Sequence, residues 1–333
     1  MSTNKPVQLG LCCLNITLKN LNPPIYHSRK IIKRIIVRDG IDELKRRILL
    51  NLQDLIKMIL WNEENGIKVF RLSSELFPHK SNKEFIEYDF EFAKSYLKEI
   101  GELSRSLNQR LTFHPGQYNV LGTPFNDKLK KTIDDLTYHA EVLELMGMGK
   151  DSVIVIHGGG LYGNKEMTKH RWCDNYNTLE ANVRDRVVLE NCERMFSIKD
   201  CLDISNECGV PIVFDTHHFE CYKLLQPEEE FESPEYYIPL ILETWKKKNI
   251  KPKFHVSEQK PCDVREYRCG CHSDYIETIP KYLLEIPDKY DTHIDIIIEA
   301  KKKELAIFKL YKKYPFLNCK KRPFKINMKI NII

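Results

Sequence analysis

Short apolar segments rich in β-branched residues alternate with longer amphipathic segments along the whole chain, and this alternation limits the possible folds more than any other feature. A short apolar run between turn residues is typical of a strand buried on both faces, as in a parallel sheet. Eight strands that each precede a helix favour an α/β fold, a single-domain (β/α)8 TIM barrel, over an open doubly wound sheet. We predict strands at 7–14, 67–72, 110–113, 152–156, 186–189, 211–214, 252–254 and 294–298.

The amphipathic segments between these runs predict the helices. Segment 165–183 is the weakest of them because its apolar spacing is poor. Segments 22–40 and 257–271 are predicted to be irregular. We predict helices at 41–64, 89–107, 127–148, 165–183, 197–208, 234–248, 273–284 and 300–314.

The composition excludes several classes of protein. Of the 333 residues, 42% are hydrophobic, far too many for a disordered chain. No apolar run reaches the roughly 18 residues that a membrane helix needs, and the first ten residues lack the features of a signal peptide. Eleven cysteines, an odd number spread along the chain, do not suit a disulfide scaffold. We therefore expect a soluble, intracellular protein that has no membrane partner.

The positive charge is concentrated at the C-terminus. The net charge is +5, and residues 300–333 contain eleven Lys or Arg and one acidic residue, Glu304. The remaining residues carry 41 basic and 46 acidic side chains. We predict a barrel domain over residues 1–314 and a basic tail over residues 315–333. The tail either binds a polyanion or is merely solvated.

Residues that can bind metal follow the ends of six predicted strands. The first two strands end near Asn15 and Ser73. In a barrel, all eight strand ends meet at one mouth, where barrel enzymes carry their active sites. Apolar strands have no packing reason to end repeatedly in His, Glu or Asp. The six residues are His114, His157, Glu190, Asp215, His255 and Glu299.

Three imidazoles and three carboxylates form a mixed nitrogen and oxygen set. Such a set suits Mn²⁺, Zn²⁺ or Fe²⁺ better than Ca²⁺ or Mg²⁺. Six side chains exceed what one catalytic ion needs, so we predict two or three divalent ions. His218 lies three residues after Asp215, and we place His272 at the start of the seventh helix, so both can reach the mouth. Metal pairs about 4 Å apart can clamp the attacking and leaving oxygens of a phosphodiester.

Lys253 lies two positions before His255, so both side chains point to the same side of their strand. An ammonium group beside divalent ions is strongly repelled. We predict that Lys253 is neutral, or carboxylated and a further metal ligand; an ion pair with Glu190 or Glu299 is the alternative.

The motifs at the strand ends closely resemble those of UV damage endonucleases. The resemblance runs from about residue 8 to residue 304, in the same order, and no motif beyond about residue 315 can be matched. The matching motifs are L-G-L-C-C-L-N (9–15), F-R-L-S-S (70–74), H-P-G-Q-Y (114–118), V-I-H-G-G (155–159), L-E-N (189–191), D-T-H-H (215–218) and K-F-H-V-S (253–257).

The resemblance implies a metal-dependent barrel endonuclease that cuts DNA immediately 5′ of a UV photoproduct and leaves a 3′ hydroxyl and a 5′ phosphate. It implies Mn²⁺ as the first choice of metal and Zn²⁺ as the second. Glu190, Lys253 and His255 are the predicted catalytic residues. The implied metal ligands are His114, His157, Glu190, Asp215, His218, His255, His272 and Glu299.

The resemblance also implies how the damaged duplex is probed. Gln117 and Tyr118 match a glutamine–tyrosine pair that the family uses for this purpose. Asn15 matches a polar residue on the lesion side, and Leu11 stands where bacterial members have an aromatic probe. The expected partner is UV-damaged double-stranded DNA, and we expect a monomer.

Two other functions remain possible from the sequence. An apurinic-site endonuclease of the same barrel type would use a similar metal site, but the Gln117–Tyr118 pair argues against it. A divalent-metal sugar isomerase would also use ligands at the strand ends, but it has no use for a basic tail. A comparison of substrates separates the three.

Overall fold

The computed structural model describes residues 6–261 and 268–320, and its centre is a parallel sheet rolled into a barrel. The hydrogen-bonded order is β3-β2-β1-β8-β7-β6-β5-β4. Strands β3 and β4 meet through one bridged pair, in which the Phe113 N–H donates to the Val153 carbonyl and the Val155 N–H donates to the Phe113 carbonyl, both at 3.0 Å. The strands are β1 (Val7–Cys12), β2 (Val69–Arg71), β3 (Arg110–Thr112), β4 (Ile154–His157), β5 (Val187–Glu190), β6 (Ile212–Asp215), β7 (Lys253–Val256) and β8 (Ile294–Ile298).

Helices surround this sheet, so the predicted (β/α)8 barrel is confirmed. Each of the eight strands overlaps its predicted segment, and the long helix at 41–64 has the predicted bounds. The helices are α1 (Ile16–Lys19), α2 (Lys33–Asp39), α3 (Ile41–Glu64), α4 (Lys94–Ser106), α5 (Asn126–Leu145), α6 (Lys165–Thr178), α7 (Ala181–Arg184), α8 (Ile198–Cys208), α9 (Thr216–Leu225), α10 (Pro234–Lys246), α11 (Lys281–Leu284), α12 (Ile286–Tyr290) and α13 (Lys303–Lys313).

The predicted helix at 273–284 is wrong over most of its length, because α11 begins only at Lys281. The preceding residues are tied to the loop after β7 instead. The Glu277 and Thr278 N–H groups both donate to the Glu258 carboxylate, at 2.8 and 3.2 Å. Pro280 then stands immediately before α11, where its fixed φ suits a helix start.

Four helices lie where none was predicted: α1, α2, α9 and α12. Helix α2 occupies part of segment 22–40 and buries Ile36. Helix α9 begins directly after β6, and Asp215 is its N-cap: one carboxylate oxygen accepts from the N–H groups of His217 and His218 at 2.8 and 2.9 Å. A capping carboxylate satisfies donors that a helix start leaves unpaired.

Strand register places the functional side chains beside one another. In the β4–β5 pair, His157 lies opposite Glu190, and in the β6–β7 pair, Asp215 lies opposite His255. The barrel interior keeps this register because it is tightly filled. At Gly10 of β1, for example, a Cβ would lie 2.4 Å from the Ile297 side chain of β8. A side chain at Gly10 would therefore force the Ile297 side chain to repack against its neighbours.

The first residues of the predicted tail pack on the barrel. Leu317 is 1% exposed, and the Tyr311 hydroxyl of α13 donates to the Gly66 carbonyl at 2.8 Å. Residues 321–333 lie outside the described part of the chain, so the boundary after residue 314 stays a prediction. Across the described ranges, none of the helices has the length and apolar character required to cross a bilayer.

Candidate metal centre

All eight predicted metal ligands lie at the carboxyl end of the barrel. Six come from the strand ends, and His218 projects from the first turn of α9. His272 reaches the mouth from a different place than predicted: it forms a β-bridge with Gln259 in the loop after β7 and does not begin a helix. The loop returns to the barrel through this bridge and brings His272 within 3.7 Å of the Glu299 carboxylate.

Glu190 is the centre of the cluster and is fully buried. One carboxylate oxygen lies 2.7 Å from His255 Nδ1 and 3.7 Å from His218 Nδ1. The other oxygen lies 2.8 Å from His114 Nε2 and 3.7 Å from His157 Nε2. Four imidazoles, from the loop after β3 and from β4, β7 and α9, thus converge on one carboxylate.

Two overlapping groups of side chains could each hold a metal ion. The first is His114, Glu190 and His255, and the second is Glu190, Asp215 and His218; within each group the donor atoms lie within 4.8 Å of one another. Glu190 belongs to both groups. A carboxylate that is shared in this way can bridge two ions, as expected for a site that holds more than one.

Glu299 is a further carboxylate of the cluster. One oxygen lies 3.4 Å from His255 Nδ1, and the Arg71 guanidinium donates to the same oxygen. Arg71 was not assigned a role from the sequence, although it stands in the matched F-R-L-S-S motif. As the last residue of β2, it occupies a strand-end position like those of the predicted ligands, and that position could have identified it.

The buried polar atoms of the cluster fit a metal-binding role. A buried donor or acceptor without a partner costs about 1–3 kcal/mol, so such atoms are rare unless a ligand satisfies them. Glu190 Oε2 lies close to His114 but lacks hydrogen-bond geometry toward it. Five cluster atoms lack hydrogen-bond partners in the described structure: His114 Nδ1, His157 Nδ1, Glu190 Oε2, Asp215 Oδ2 and His255 Nε2.

The protonation states of the cluster depend on burial and on neighbouring charges. Burial lowers the pKa of His157 to about 3, so its imidazole is neutral and offers a lone pair. Burial raises the pKa of Asp215 to about 7. Burial also disfavours the charged form of His218, but the charges of Asp215 and Glu190 outweigh it and raise the pKa of His218 to about 9. A cation held by His218 would therefore have to displace a proton from it at neutral pH.

Lys253 lies below the cluster and is fully buried. Its Nζ donates to the Thr112 hydroxyl at 2.9 Å, and no carboxylate of the described residues forms an ion pair with it. Burial, together with the charges of Arg110 and Arg71, lowers the pKa of Lys253 to about 7. The amine is thus readily available in its neutral form.

The predicted lesion contacts occupy two different environments. Gln117 and Tyr118 are exposed on the loop that follows β3, and Tyr118 is 67% exposed. Leu11 lies inside β1 with none of its surface exposed, so it offers no side chain to the mouth. Asn15 is also fully buried, and its side-chain oxygen caps α1 by accepting from the Leu18 N–H at 2.8 Å.

The loop that carries Tyr118 is firmly held. The Asn119 amide donates to Asp135 of α5 at 2.9 Å and to the Gly116 carbonyl at 3.1 Å. The Tyr118 ring lies against Gly116, where a Cβ would come within 2.5 Å of the ring. The exposed ring therefore projects from a fixed backbone.

A family model described as UV-endonuclease UvdE matches residues 7–329 of the chain. A provisionally named UV-damage endonuclease of Acanthamoeba polyphaga mimivirus is 39% identical over 312 residues, which cover 92% of this chain and 91% of the relative. The UV-damage endonuclease of Schizosaccharomyces pombe is 36% identical over 324 residues, or 95% of this chain. The chain spans about half (52%) of that fungal relative. The family match continues past residue 315, where the sequence motifs could not be followed.

Solved structures with the same fold extend the comparison. The crystal structure of SacUVDE superposes with a TM-score of 0.79 at 28% identity, covering 93% of this chain and all of the other. A xylose isomerase domain protein from Planctomyces limnophilus superposes with a TM-score of 0.53 at 12% identity, covering 78% of this chain and 90% of the other. The second likeness shows the barrel fold alone.

Proposed function

The chain belongs to the UV-endonuclease UvdE family, and from this premise we propose that it is a metal-dependent endonuclease acting on UV-damaged double-stranded DNA. In this proposal the cut falls immediately 5′ of the photoproduct and leaves a 3′ hydroxyl and a 5′ phosphate. The observation that carries the proposal is the convergence of four imidazoles on the buried Glu190 at the mouth of the barrel.

We propose that the mouth holds two or three divalent ions, with Mn²⁺ as the first choice and Zn²⁺ as the second. Such ions polarise a phosphodiester and stabilise the charge that develops on its attacking and leaving oxygens. The proposed holding residues are the eight side chains of the cluster, with Glu190 common to its two groups. The partnerless nitrogen and carboxylate oxygen atoms support this role because a cation would satisfy them.

Glu190, Lys253 and His255 are the residues that we propose for the chemistry itself. The short contact between His255 and Glu190 fixes the orientation of both side chains. Arg71 holds the Glu299 carboxylate and so acts as a positioning residue. A neutral Lys253 amine could react with carbon dioxide to form a carbamate, which would add a further anionic ligand; its buried position and its bond to Thr112 also suit an unmodified neutral amine.

We propose that Gln117 and Tyr118 probe the duplex. An enzyme that acts beside a base inside a stack benefits from extruding it, which costs a few kcal/mol and less at a damaged site. An exposed aromatic ring on a fixed loop can fill the gap and respond to the distortion of the duplex instead of its sequence. Tyr118 has these properties, whereas the buried Leu11 and Asn15 do not meet the requirement for exposure.

Cleavage of defined duplexes tests the proposal. Three labelled duplexes carry one cyclobutane pyrimidine dimer, one abasic site or no damage, and each is incubated with Mn²⁺, Zn²⁺ or EDTA. We expect a metal-dependent cut directly 5′ of the dimer. Cleavage of the abasic duplex alone would indicate an apurinic-site endonuclease. Absence of any cleavage would refute the nuclease and leave sugar isomerisation as the next activity to assay.

A further inference from the structure

An aromatic pair, an exposed Phe125 and a half-buried Tyr162, lies on the loops after β3 and β4, apart from Gln117 and Tyr118. Phe125 is 49% exposed at the end of the loop that carries His114, immediately before α5. Tyr162 lies on the loop after β4, which carries His157. The two rings meet edge to face, with centroids 6.1 Å apart and an interplanar angle of 76°. Both loops therefore present an aromatic ring on the same side of the cluster.

A lysine completes this surface. Lys128 Nζ lies over the Phe125 ring, 4.5 Å from its centroid. Lys128 and Lys130 are both exposed in the first turns of α5, with Asp127 as the opposing charge in that turn. We call Phe125, Lys128 and Tyr162 the aromatic rim. An apolar ring face beside an ammonium group suits a nucleotide, which has both a base or sugar surface and a phosphate.

The backbone at residues 120–122, shortly before Phe125, is anchored to α5 and α6. The Val120 N–H donates to the Thr132 hydroxyl of α5 at 3.1 Å. Arg171 and Asn175 of α6 donate to the carbonyls of Gly122 and Leu121, at 3.1 and 2.6 Å. An exposed apolar ring on a backbone fixed in this way loses little conformational entropy when it binds.

We propose that the aromatic rim binds a nucleotide of the substrate duplex that flanks the damaged site, with Phe125 contacting its base or sugar and Lys128 its phosphate. This inference rests on the proposed function and adds a second contact point to it. Because Phe125 and Tyr162 lie on the loops that follow His114 and His157, we expect a duplex placed over the metal cluster to pass beside the rim. The rim is built from Phe125, Tyr162 and Lys128 in contact with one another, so we expect it to contribute to binding and not to the chemical step.

The test compares variants in two assays on a duplex with one pyrimidine dimer. Binding is measured by fluorescence anisotropy in EDTA at several salt concentrations, and cleavage is measured in Mn²⁺. Phe125→Ala should weaken binding at least about fivefold, from the effect of losing one aromatic stacking contact. It should raise KM by a similar factor with kcat unchanged. Phe125→Trp should retain the affinity, which excludes a folding defect as the cause.

The salt dependence separates the two contacts of the rim. Lys128→Ala should reduce the slope of log K against log salt concentration by about 1, whereas Phe125→Ala should leave the slope unchanged. The control is Tyr236→Ala, which removes an equally exposed ring (56%) on α10. The proposed nucleotide contact at the rim would be refuted if Phe125→Ala bound the duplex within twofold of the wild-type affinity. It would also be refuted if Tyr236→Ala lost as much affinity as Phe125→Ala. A wild type that neither binds nor cuts the duplex would overturn the proposed function as well.

Discussion

Replacing Lys253 with Met should make the metal-free protein more stable while abolishing its activity. Lys253 is fully buried, and its folded-state pKa is lowered to about 7 from 10.5. A lysine with a lowered pKa costs stability, because the unfolded chain binds the proton more tightly than the folded chain does. This cost is fully present below pH 7 and disappears as the pH rises toward 10.5.

The magnitude follows from that difference in pKa. A difference of 3.5 units corresponds to a full cost of about 5 kcal/mol, at about 1.4 kcal/mol per unit; about 4 kcal/mol of it is present at pH 7, where half of the folded-state amine is already neutral. The Met variant also loses the hydrogen bond to Thr112, a loss of about 1 kcal/mol. Lys253→Met should therefore raise the free energy of unfolding by about 3 kcal/mol at pH 7, since Met fills a similar volume.

Urea denaturation in EDTA, in bicarbonate-free buffer, measures this effect. The stability advantage of the variant should shrink by about 2 kcal/mol in total between pH 7 and pH 9, because the wild type gains stability there. Groups that titrate in both proteins cancel from the comparison. Lys251→Met is the matched control, since Lys251 is partly exposed and pairs with Asp295. A difference that does not change between pH 7 and pH 9 would refute the assignment of a neutral amine.

Three further perturbations test other parts of the structure. Tyr118→Ala should reduce cleavage of the dimer-containing duplex about tenfold or more, because an aromatic contact is lost. Tyr118→Phe should retain the wild-type cleavage rate. Equal activity of the two variants would exclude a role for the ring. In urea titrations in EDTA, Arg71→Met should lower the free energy of unfolding by about 3 kcal/mol, because it leaves the buried Glu299 carboxylate without the Arg71 guanidinium. Arg71→Lys should recover part of that loss. Deleting residues 321–333 removes four basic residues and spares the packed Leu317. The slope of log K against log salt concentration for DNA binding should then fall by as much as about 3, and an unchanged slope would show that the tail does not contact phosphate.

The strands and the set of side chains that meet at the barrel mouth were predictable because both follow from local patterns. Buried parallel strands are short apolar runs, and barrel closure brings their carboxyl ends to one mouth. His114, Glu190 and Glu299 could therefore be grouped before any distance was known. Their pairing could not be predicted, because which imidazole approaches which oxygen depends on register and rotamer.

The errors arose where contacts distant in the sequence decide the local structure. The Glu258 carboxylate accepts hydrogen bonds from two backbone N–H groups that a helix at 273–284 would otherwise use. The spacing of apolar residues in the sequence gives no sign of these bonds. Arg71 and Glu299 are 228 residues apart, so their ion pair exists only because β1 brings both neighbouring strands together. Leu11 is a different case. Its motif position suggests a lesion contact, whereas its place in an apolar strand predicts the burial that the structure shows.

We propose above that Glu190 holds a multi-ion centre at the mouth of the barrel. Native mass spectrometry of the wild type, of Glu190→Gln and of the surface control Glu91→Gln, after equilibration with Mn²⁺, counts the ions bound per chain. We expect two or three ions in the wild type and in the control, and at most one in Glu190→Gln, because both candidate ligand groups share that carboxylate. Equal numbers of ions in Glu190→Gln and in the wild type would show that Glu190 does not hold the ions.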